Sequence, residues 1–367
     1  MALTDIEAGR LADNVFNVVG ANKNLIINGA MQVAQRGTSS TTSGYGSVDR
    51  FHVQIDGGTV THTQTAITSG SPYDEGFRSV LRLTNTATAT GASNIRNPFQ
   101  YIEAQNIAKS GWNYASSTSY LTLSFWVRSS VAQEFYGYLR TFDGTEQGYS
   151  FSLGSLSADT WTKVTKTIPG NSNLTFNNDN GAGLQVNISP FLGTDFTDSG
   201  NTVDTWAAFA SGSRTPDYTN TWANTTNATF DITGVQLEVG SVATPFEHRS
   251  YGDELRRCQR YYETCYQQGL APGSSTSSNN ILAVCPGNIN RAYGHLQFQV
   301  KKRAAATVVF FSTSGASGKF RNASQATDIT MSAACSLGDS GISYEASSGI
   351  VSVTDRMQGL YTAEAEL

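Results

Sequence analysis

Charged side chains are scarce in this sequence. Asp, Glu, Lys and Arg make up 14% of its 367 residues, whereas they make up about 25% of an average globular protein. The net charge of -5 is spread along the chain without runs of one sign. A basic surface for nucleic acid is therefore not predicted, and neither is a polybasic patch for an anionic membrane.

Cysteine is also rare. The residues Cys258, Cys265, Cys285 and Cys335 all lie in the C-terminal third, without a CxxC pair or a histidine at metal-binding spacing. We therefore predict buried, reduced thiols and no metal site. Cys258 and Cys265 stand two turns apart on a predicted helix, roughly 10 Å along its axis, which is too far for a disulfide bond.

Long hydrophobic runs are missing as well. The N-terminal sequence MALTDIEAGRLADNVF has neither the basic start nor the unbroken apolar segment of a secretory signal. No later run approaches the roughly 20 residues of a membrane span. The sequence thus predicts a soluble product of the cytoplasm.

Motifs of common catalytic sites are absent. There is no GxSxG elbow, no HExxH pair, no Walker loop and no GxGxxG. The histidines at positions 52, 62, 248 and 295 are scattered, and each is predicted to have a structural role. We therefore predict no catalytic residues, no cofactor and no metal ligands, and the protein is not expected to be an enzyme. An Asp-rich calcium loop is not visible in the sequence, and calcium binding stays open.

Serine, threonine, asparagine and glycine take the place of charge, and apolar residues alternate with polar ones in many short segments between Asn24 and Glu247. The clearest segments are 25–33, 51–55, 81–83, 121–127, 149–153 and 184–188. Alternation of this kind indicates half-buried strands. So many strands, without helical periodicity between them, predict an antiparallel jelly-roll β-sandwich, with a hairpin at Asp179-Asn180-Gly181.

The stretch from Phe230 to Tyr266 has the clearest pattern. Its first part alternates like a strand, and the alternation changes phase at Gly234, which predicts a β-bulge there. Ser250 then stands three residues before Asp253, the spacing of a capping box. Apolar residues follow at helical spacing, namely Leu255, Cys258, Tyr261, Tyr262 and Cys265. We predict one helix over residues 250–266.

These patterns divide the chain as follows. Residues 1–23 form an N-terminal helical attachment segment, with a frayed tail as the alternative, and residues 24–249 form the jelly-roll domain. Residues 250–266 are the connecting helix, 267–279 a polar linker, and 280–367 a smaller C-terminal β-sandwich domain. The C-terminal unit can barely hold its own core, so packing against copies of itself is expected. The N-terminal helix is too short to be stable alone and is expected to dock on a neighbouring copy or a larger assembly.

Three segments carry a family resemblance: NLIINGAMQVAQRG at 24–37, VDRFHV at 48–53, and TGVQLEVGSVATPFEHRSYGDELRRCQRYY at 233–262. Over roughly residues 24–266 the chain resembles a module of tail-fibre and appendage proteins of bacteriophages and prophages. The resemblance implies a jelly roll similar to carbohydrate-binding modules, with Phe51 where that family usually has tryptophan. It also implies a homotrimeric virion protein that contacts other virion proteins through its N-terminal segment. The connecting helix fits either the threefold axis of such a trimer or a place beneath its own sandwich.

A sugar-binding site is the function that the aromatic residues favour. Sugars pack their C–H faces on flat rings, while amides and carboxylates hold their hydroxyl groups. The candidate ligand-binding residues are the aromatics in polar, turn-like surroundings: Trp112, Tyr114, Trp206, Tyr218 and Trp222. Burial under a loop or between subunits is the alternative for each of them. Trp126 and Trp161 lie in predicted strands and are expected in the core.

Three functions stay open. The first is a trimeric tail or capsid fibre that recognises a bacterial surface glycan and contributes to host attachment. The second is a structural adaptor or capsid decoration without a ligand. The third is a surface-glycan hydrolase, which would need two carboxyl groups roughly 5–10 Å apart. The long loop 191–227 offers Asp195, Asp198, Asp204 and Asp217, but we predict that these are solvated loop acids.

Overall fold

The computed structural model describes residues 22–285, 291–346 and 355–367. Nearly all of the predicted N-terminal attachment segment, residues 1–23, lies outside these ranges. Within them the chain is mainly β, in two domains joined by a short helix. No helix in the described ranges is long and apolar enough to span a membrane.

Two antiparallel sheets form the first domain. The first sheet has six strands, in the order β1 (Ser39–Ser40), β3 (Thr59–Ala66), β4 (Ser79–Ala87), β13 (Ala228–Val239), β6 (Tyr120–Ser129) and β9 (Thr162–Pro169). The second sheet has seven, namely β11 (Phe191–Leu192), β5 (Ile95–Glu103), β10 (Ala182–Ser189), β7 (Gln133–Thr141), β8 (Gln147–Leu156) and β12 (Trp206–Ala208), with β2 (His52–Asp56) also pairing with β5. The predicted jelly-roll sandwich is confirmed.

The main core lies between these two sheets. It takes alternate residues from the facing strands, such as Leu121, Leu123 and Phe125 of β6 and Leu184, Val186 and Ile188 of β10. Successive side chains of a strand point to opposite faces. The intervening residues of β10, Gln185 and Asn187, therefore lie on the outer face of the second sheet.

Two local predictions for this domain are wrong. Residues 25–33 do not form a strand, because Asn28 and Met31 adopt left-handed backbone angles (φ 61° and 56°). The Asn28 side chain donates to the carbonyl of Val33 instead (2.9 Å), so a side chain takes the place of strand pairing. The turn at 179–181 does not close a hairpin, since β9 pairs with β6 and β10 pairs with β5 and β7. The chain crosses from one sheet to the other there.

Side chains tie the opening segment of the sandwich to its closing strand. The Asn24 Oδ1 atom accepts from the backbone N–H of Leu237 (3.0 Å). In the Gln-Leu-Glu segment, Gln236 Nε2 donates to Glu238 Oε1 (2.9 Å), and both side chains are buried. Glu238 also accepts from the backbone N–H of Thr244 (2.9 Å). This segment is therefore structural, and it directs the chain as it leaves β13.

Short helices in the described ranges are α1 (Ser71–Asp74), α2 (Ala104–Ala108), α3 (Thr221–Asn224) and α4 (Tyr251–Gln259). The predicted cap of α4 is confirmed, since Ser250 Oγ accepts from the backbone N–H of Asp253 (3.2 Å). Glu254 and Cys258 are buried on one face of α4. Glu254 accepts from the backbone N–H of Asn28 (2.5 Å), so α4 packs beneath its own sandwich.

The connecting helix is shorter than predicted, because it ends at Gln259 rather than at residue 266. Residues Tyr262–Thr264 form β14, which pairs with the last strand, β22 (Met357–Glu364). The guanidinium of Arg36 lies over the Tyr262 ring at 3.6 Å from its centroid. Strand pairing and this contact hold the chain extended where its local pattern predicts a helix.

The second domain also consists of two antiparallel sheets. The larger contains β14, β15 (Ile281–Ala283), β17 (Thr307–Ser312), β18 (Lys319–Asn322), β19 (Thr327–Thr330) and β22. The smaller contains β16 (Ala292–Gln297), β21 (Gly341–Ala346) and β20 (Ser332–Leu337). Their shared core includes Phe310, Phe320 and Tyr344. Residues 267–279 form turns between β14 and β15.

Buried charged groups join the two domains. The Glu103 carboxylate accepts from Arg260 Nε (2.7 Å) and from the Tyr261 hydroxyl (2.5 Å). Arg50, itself buried, forms an ion pair with Glu366 near the C-terminus. A buried carboxylate needs such partners, so these pairs fix where the second domain packs on the first.

Candidate binding site

The tryptophans that the sequence places in polar loops are buried. Trp112, Trp206 and Trp222 are 3%, 8% and 0% exposed, and all belong to the main core. Their indole N–H groups donate to backbone carbonyls, Trp112 to Ser119 (3.2 Å), Trp206 to Pro169 (2.7 Å) and Trp222 to Thr229 (3.1 Å). The prediction that these three tryptophans have accessible rings is wrong. Here they pack the sandwich and offer no free face.

Tyr114 and Tyr218 are half-buried. Tyr114 meets the edge of Phe176, with 5.1 Å between ring centroids. The Tyr218 hydroxyl lies 3.2 Å and 3.1 Å from the carbonyl oxygens of Tyr136 and Ser189, and burial raises its pKa. The five candidate residues do not come together as one site, and ligand contact by these two tyrosines stays a prediction.

Of the two tryptophans expected in the core, Trp126 is buried in a second hydrophobic cluster, and Trp161 packs half-buried against that cluster. Trp126 belongs to a small cluster with Phe77 and Val80, on the outer face of the first sheet. Trp161 stands just before β9 and is half-buried, with the Arg128 guanidinium 4.6 Å from its ring. Neither residue is part of the main core.

A row of side chains crosses the outer face of the second sheet at right angles to its strands. The register pairs Tyr101 of β5 with Gln185 of β10, and Gln185 with Arg140 of β7. Arg140 is paired with Gly148 of β8, and Gly148 with Ala207 of β12. Paired residues of neighbouring strands share a face. These five residues are called the cross-strand row below.

Aromatic rings border the cross-strand row. The Phe142 ring meets Tyr101 edge to face, with 5.4 Å between centroids. The Arg140 guanidinium lies 4.7 Å from the Phe142 ring and 4.1 Å from the Phe209 ring. Tyr101, Arg140, Phe142 and Phe209 are all half-buried. The row and its bordering rings therefore offer aromatic surface and a guanidinium that are partly in contact with solvent, whereas Gln185 at the centre of the row is buried.

The charge of Arg140 is balanced locally. Its Nη2 atom lies 2.7 Å from Glu146 Oε2, and its Nε donates to the same oxygen (2.9 Å). Asp143, which follows Phe142 in the chain, accepts from the side-chain amide of Asn177 (2.7 Å). Burial raises the pKa of the Tyr101 hydroxyl, and Arg140 opposes this shift, so the phenol remains neutral. The row has little net charge.

A long loop covers the next row of the same face. Tyr138 clusters with Ile95 and Leu192 beneath Phe196 and Tyr218 of the loop. The side-chain amides of this covered row hydrogen-bond to each other, since Asn97 Nδ2 donates to Asn187 Oδ1 (2.9 Å). The predicted long loop is thus an intramolecular cover, and it leaves Tyr101 and Arg140 of the cross-strand row partly exposed.

The loop acids are placed as predicted for solvated side chains. Asp195, Asp198, Asp204 and Asp217 are all exposed. Asp198 accepts from the backbone N–H of Gly200 (2.8 Å), an interaction that shapes the turn. Within the described ranges, no group of three His, Cys, Asp or Glu side chains is arranged to hold a metal ion.

Protonation of His52 is expected to weaken the fold at acidic pH. Its imidazole stacks on Phe99, with 4.6 Å between centroids. Burial lowers the pKa of His52 to about 4, although the nearby Glu366 carboxylate acts in the opposite direction. In the unfolded chain the pKa is about 6.5, so the unfolded state binds the proton first as the pH falls. The contribution of neutral His52 to the free energy of unfolding is therefore complete above pH 6.5, and it is lost as the pH falls from 6.5 to about 4.

Urea unfolding measured across this pH window tests the expectation. The midpoint of the wild type should fall, and that of His52→Phe, which keeps a ring stacked on Phe99, should fall less. His62, whose pKa burial also lowers, is present in both proteins. Identical pH profiles for the two proteins would contradict the prediction.

Comparison with known proteins gives no family model and no curated protein that matches this chain. Solved structures with a similar fold include a putative sugar-binding protein from Bacteroides thetaiotaomicron, at 11% identity and TM-score 0.32, covering 59% of this chain and 100% of that one. The N-terminal cellulose-binding domain of Cellulomonas fimi β-1,4-glucanase C is 11% identical, with TM-score 0.29 and coverage of 58% and 99%. The enzymatically active domain of tailspike protein 4 from bacteriophage CBA120 is 13% identical, with TM-score 0.28 and coverage of 59% and 22%. Similarity at this level does not establish a shared function.

Proposed function

We propose that this protein binds a glycan at the cross-strand row without cleaving it. The observation that carries the proposal is the row with its bordering rings, where the half-buried Tyr101 and Phe142 rings stand beside the half-buried Arg140 guanidinium. Rings of this kind take the C–H faces of a sugar, and a guanidinium donates hydrogen bonds to its hydroxyls. The sheet holds these groups in place before a ligand arrives, which lowers the entropic cost of binding.

Neutral sugars fit the row better than acidic ones. Arg140, the cation of the row, already has Glu146 as its partner at 2.7 Å. An acidic sugar would have to compete with that carboxylate for the guanidinium. A neutral sugar can accept hydrogen bonds from the remaining N–H groups without separating the pair.

In its biological setting we propose a virion protein, a homotrimeric fibre that contributes to recognition of a bacterial surface. The resemblance of residues 24–266 to tail-fibre and appendage modules supports this assignment. Three copies would raise the apparent affinity of a weak site through effective concentration. Light scattering should then give three times the 39.3 kDa mass of the chain, and a monomer in solution would contradict the trimer.

Replacing Tyr101 by alanine should weaken glycan binding about tenfold, equivalent to about 1.4 kcal/mol. The residue is half-buried in the row, and it is the aromatic residue among the five that form it. A glycan array first identifies a neutral ligand of the wild type, and calorimetry then compares the variants. Tyr120→Ala is the matched control, because Tyr120 is also half-buried but lies in β6 of the first sheet.

The other two functions give different results in these experiments. Failure of the wild type to bind any array glycan would overturn the proposal and leave a structural adaptor or decoration protein. Release of shorter oligosaccharides from a bound polysaccharide would identify a hydrolase. Binding by Tyr101→Ala as tight as that of the wild type would move the site away from the cross-strand row.

A further inference from the structure

The second domain borders the same face of the sandwich. A groove of about 660 Å³ is lined by Tyr45 and His52 from the first domain. Its other side is lined by Arg303, Ala305, Thr307 and the C-terminal residues 364–367 of the second domain. The two domains thus form opposite sides of one groove.

Ring contacts link this groove to the cross-strand row through the buried Phe99. The Tyr45 and His52 rings meet with 5.0 Å between centroids, and His52 stacks on Phe99 at 4.6 Å. Phe99 in turn meets Tyr101 at 5.0 Å. A line of contacting rings therefore runs from the domain boundary to the first residue of the row.

The wall formed by the second domain is held in place by its own contacts. The Glu366 carboxylate pairs with the buried Arg50 and lies 3.2 Å from Arg36 Nη2. Arg303 donates from Nε to the Ala365 carbonyl (3.0 Å). It also donates from Nη1 to the carbonyl of Asn180 in the first domain (2.9 Å). The tail is therefore ordered without a ligand, as a preformed binding wall requires.

We infer that the second domain supplies one wall of the glycan site, so that the ligand is a linear oligosaccharide and not a single terminal sugar. This inference rests on the proposed function. Sugars at one end of the chain lie on Tyr101 and Phe142, and those at the other end lie between His52 and Ala305. Ala305 and Thr307 are exposed on the groove and have small side chains, which leaves room for the chain to pass.

Filling the groove from the second domain tests the inference. Ala305→Trp places an indole between the walls, and Thr307→Trp does the same from a second exposed position. The probes are neutral oligosaccharides from disaccharide to hexasaccharide, prepared from the glycan that gives the strongest array signal with the wild type. We expect each variant to lose at least fivefold in affinity for the hexasaccharide and to bind the disaccharide as the wild type does.

Ala323→Trp is the matched control. Ala323 is exposed in the same domain, and the preceding residue Asn322 pairs with Met357, seven residues along β22 from Glu364. That separation is roughly 23 Å in an extended strand. The control should bind every probe as the wild type does, and all three variants should keep the wild-type unfolding midpoint.

The possible failures can be told apart. Suppose that Tyr101→Ala weakens binding while Ala305→Trp and Thr307→Trp bind all probes normally. The second domain is then not a wall of the site, and the cross-strand row remains the binding site. The wall is also wrong if both groove variants weaken binding of the disaccharide and the hexasaccharide equally. If neither Tyr101→Ala nor the groove variants change binding, the row and the wall are both wrong.

Discussion

Gly234→Val is expected to lower the free energy of unfolding of the sandwich by roughly 2–5 kcal/mol. Gly234 has a φ of 65° at the bulge of β13, where the register with β6 shifts between Thr233 and Gln236. A left-handed backbone costs a side-chain residue roughly 1–2 kcal/mol. A Cβ atom there would also lie 2.7 Å from Cζ of the buried Phe77, and overpacking costs roughly 1–3 kcal/mol more.

Urea unfolding followed by tryptophan fluorescence measures this loss. The tryptophans at 112, 126, 161, 206 and 222 all lie in the first domain, so the signal reports on the sandwich. Gly252→Val is the control, because Gly252 lies in α4 and a Cβ atom there meets no neighbouring atom within 4 Å. Valine is at least as good a helix former as glycine, so the control should not be destabilised. Equal midpoints for the two variants would show that the bulge does not require glycine.

Glu263→Gln should destabilise the second domain by roughly 3–5 kcal/mol, the usual cost of leaving one member of a buried ion pair alone. Glu263 and Lys302 form an ion pair whose side chains are both 0% exposed. Glu263 also accepts from the Tyr361 hydroxyl (2.7 Å) and from the backbone N–H of Gln299 (3.1 Å). Burial lowers the pKa of Lys302, and the Glu263 carboxylate opposes that shift. Without the carboxylate, the ammonium would be buried with backbone carbonyls as its partners.

Hydrogen exchange of the β14 and β22 amides measures the effect in this domain. The double variant Glu263→Gln/Lys302→Met should recover much of the loss, because no charge is then buried. Asp339→Asn is the control, since the neighbouring pair of Lys301 and Asp339 is 68% and 41% exposed and exposed pairs contribute little. The prediction would be refuted if Glu263→Gln changed protection no more than Asp339→Asn.

Part of the proposed binding face follows from sequence and part does not. The alternation of Leu184, Val186 and Ile188 in β10 is enough to put Gln185 on the opposite face. Placing Tyr101 and Arg140 beside Gln185 requires the register of β5, β10 and β7, strands that are not consecutive in the chain. No local pattern contains that register, because it depends on which strands become neighbours in the folded sheet.

The loop tryptophans show a second limit. Trp222 has polar neighbours in sequence, yet its ring meets Phe230 in the core at 6.5 Å between centroids. Trp206 begins an edge strand and points inward against Tyr149 at 5.2 Å. Polarity of adjacent residues reflects their own exposure to water. It does not determine the direction of the side chain between them.

The sequence by itself determined the mainly β fold, five of the six clearest strand segments, the bulge at Gly234 and the cap at Ser250. Each depends on backbone conformation and alternation over a few residues, and these are local properties. Tertiary structure decided that the chain after Gln259 becomes a strand, that the loop tryptophans are buried, and that Tyr101, Gln185 and Arg140 form one row. It also decided that the second domain borders this face, through Arg50, Glu366 and Arg303. These features are contacts between residues far apart in sequence, and their energies outweigh local preference only once the chain has folded.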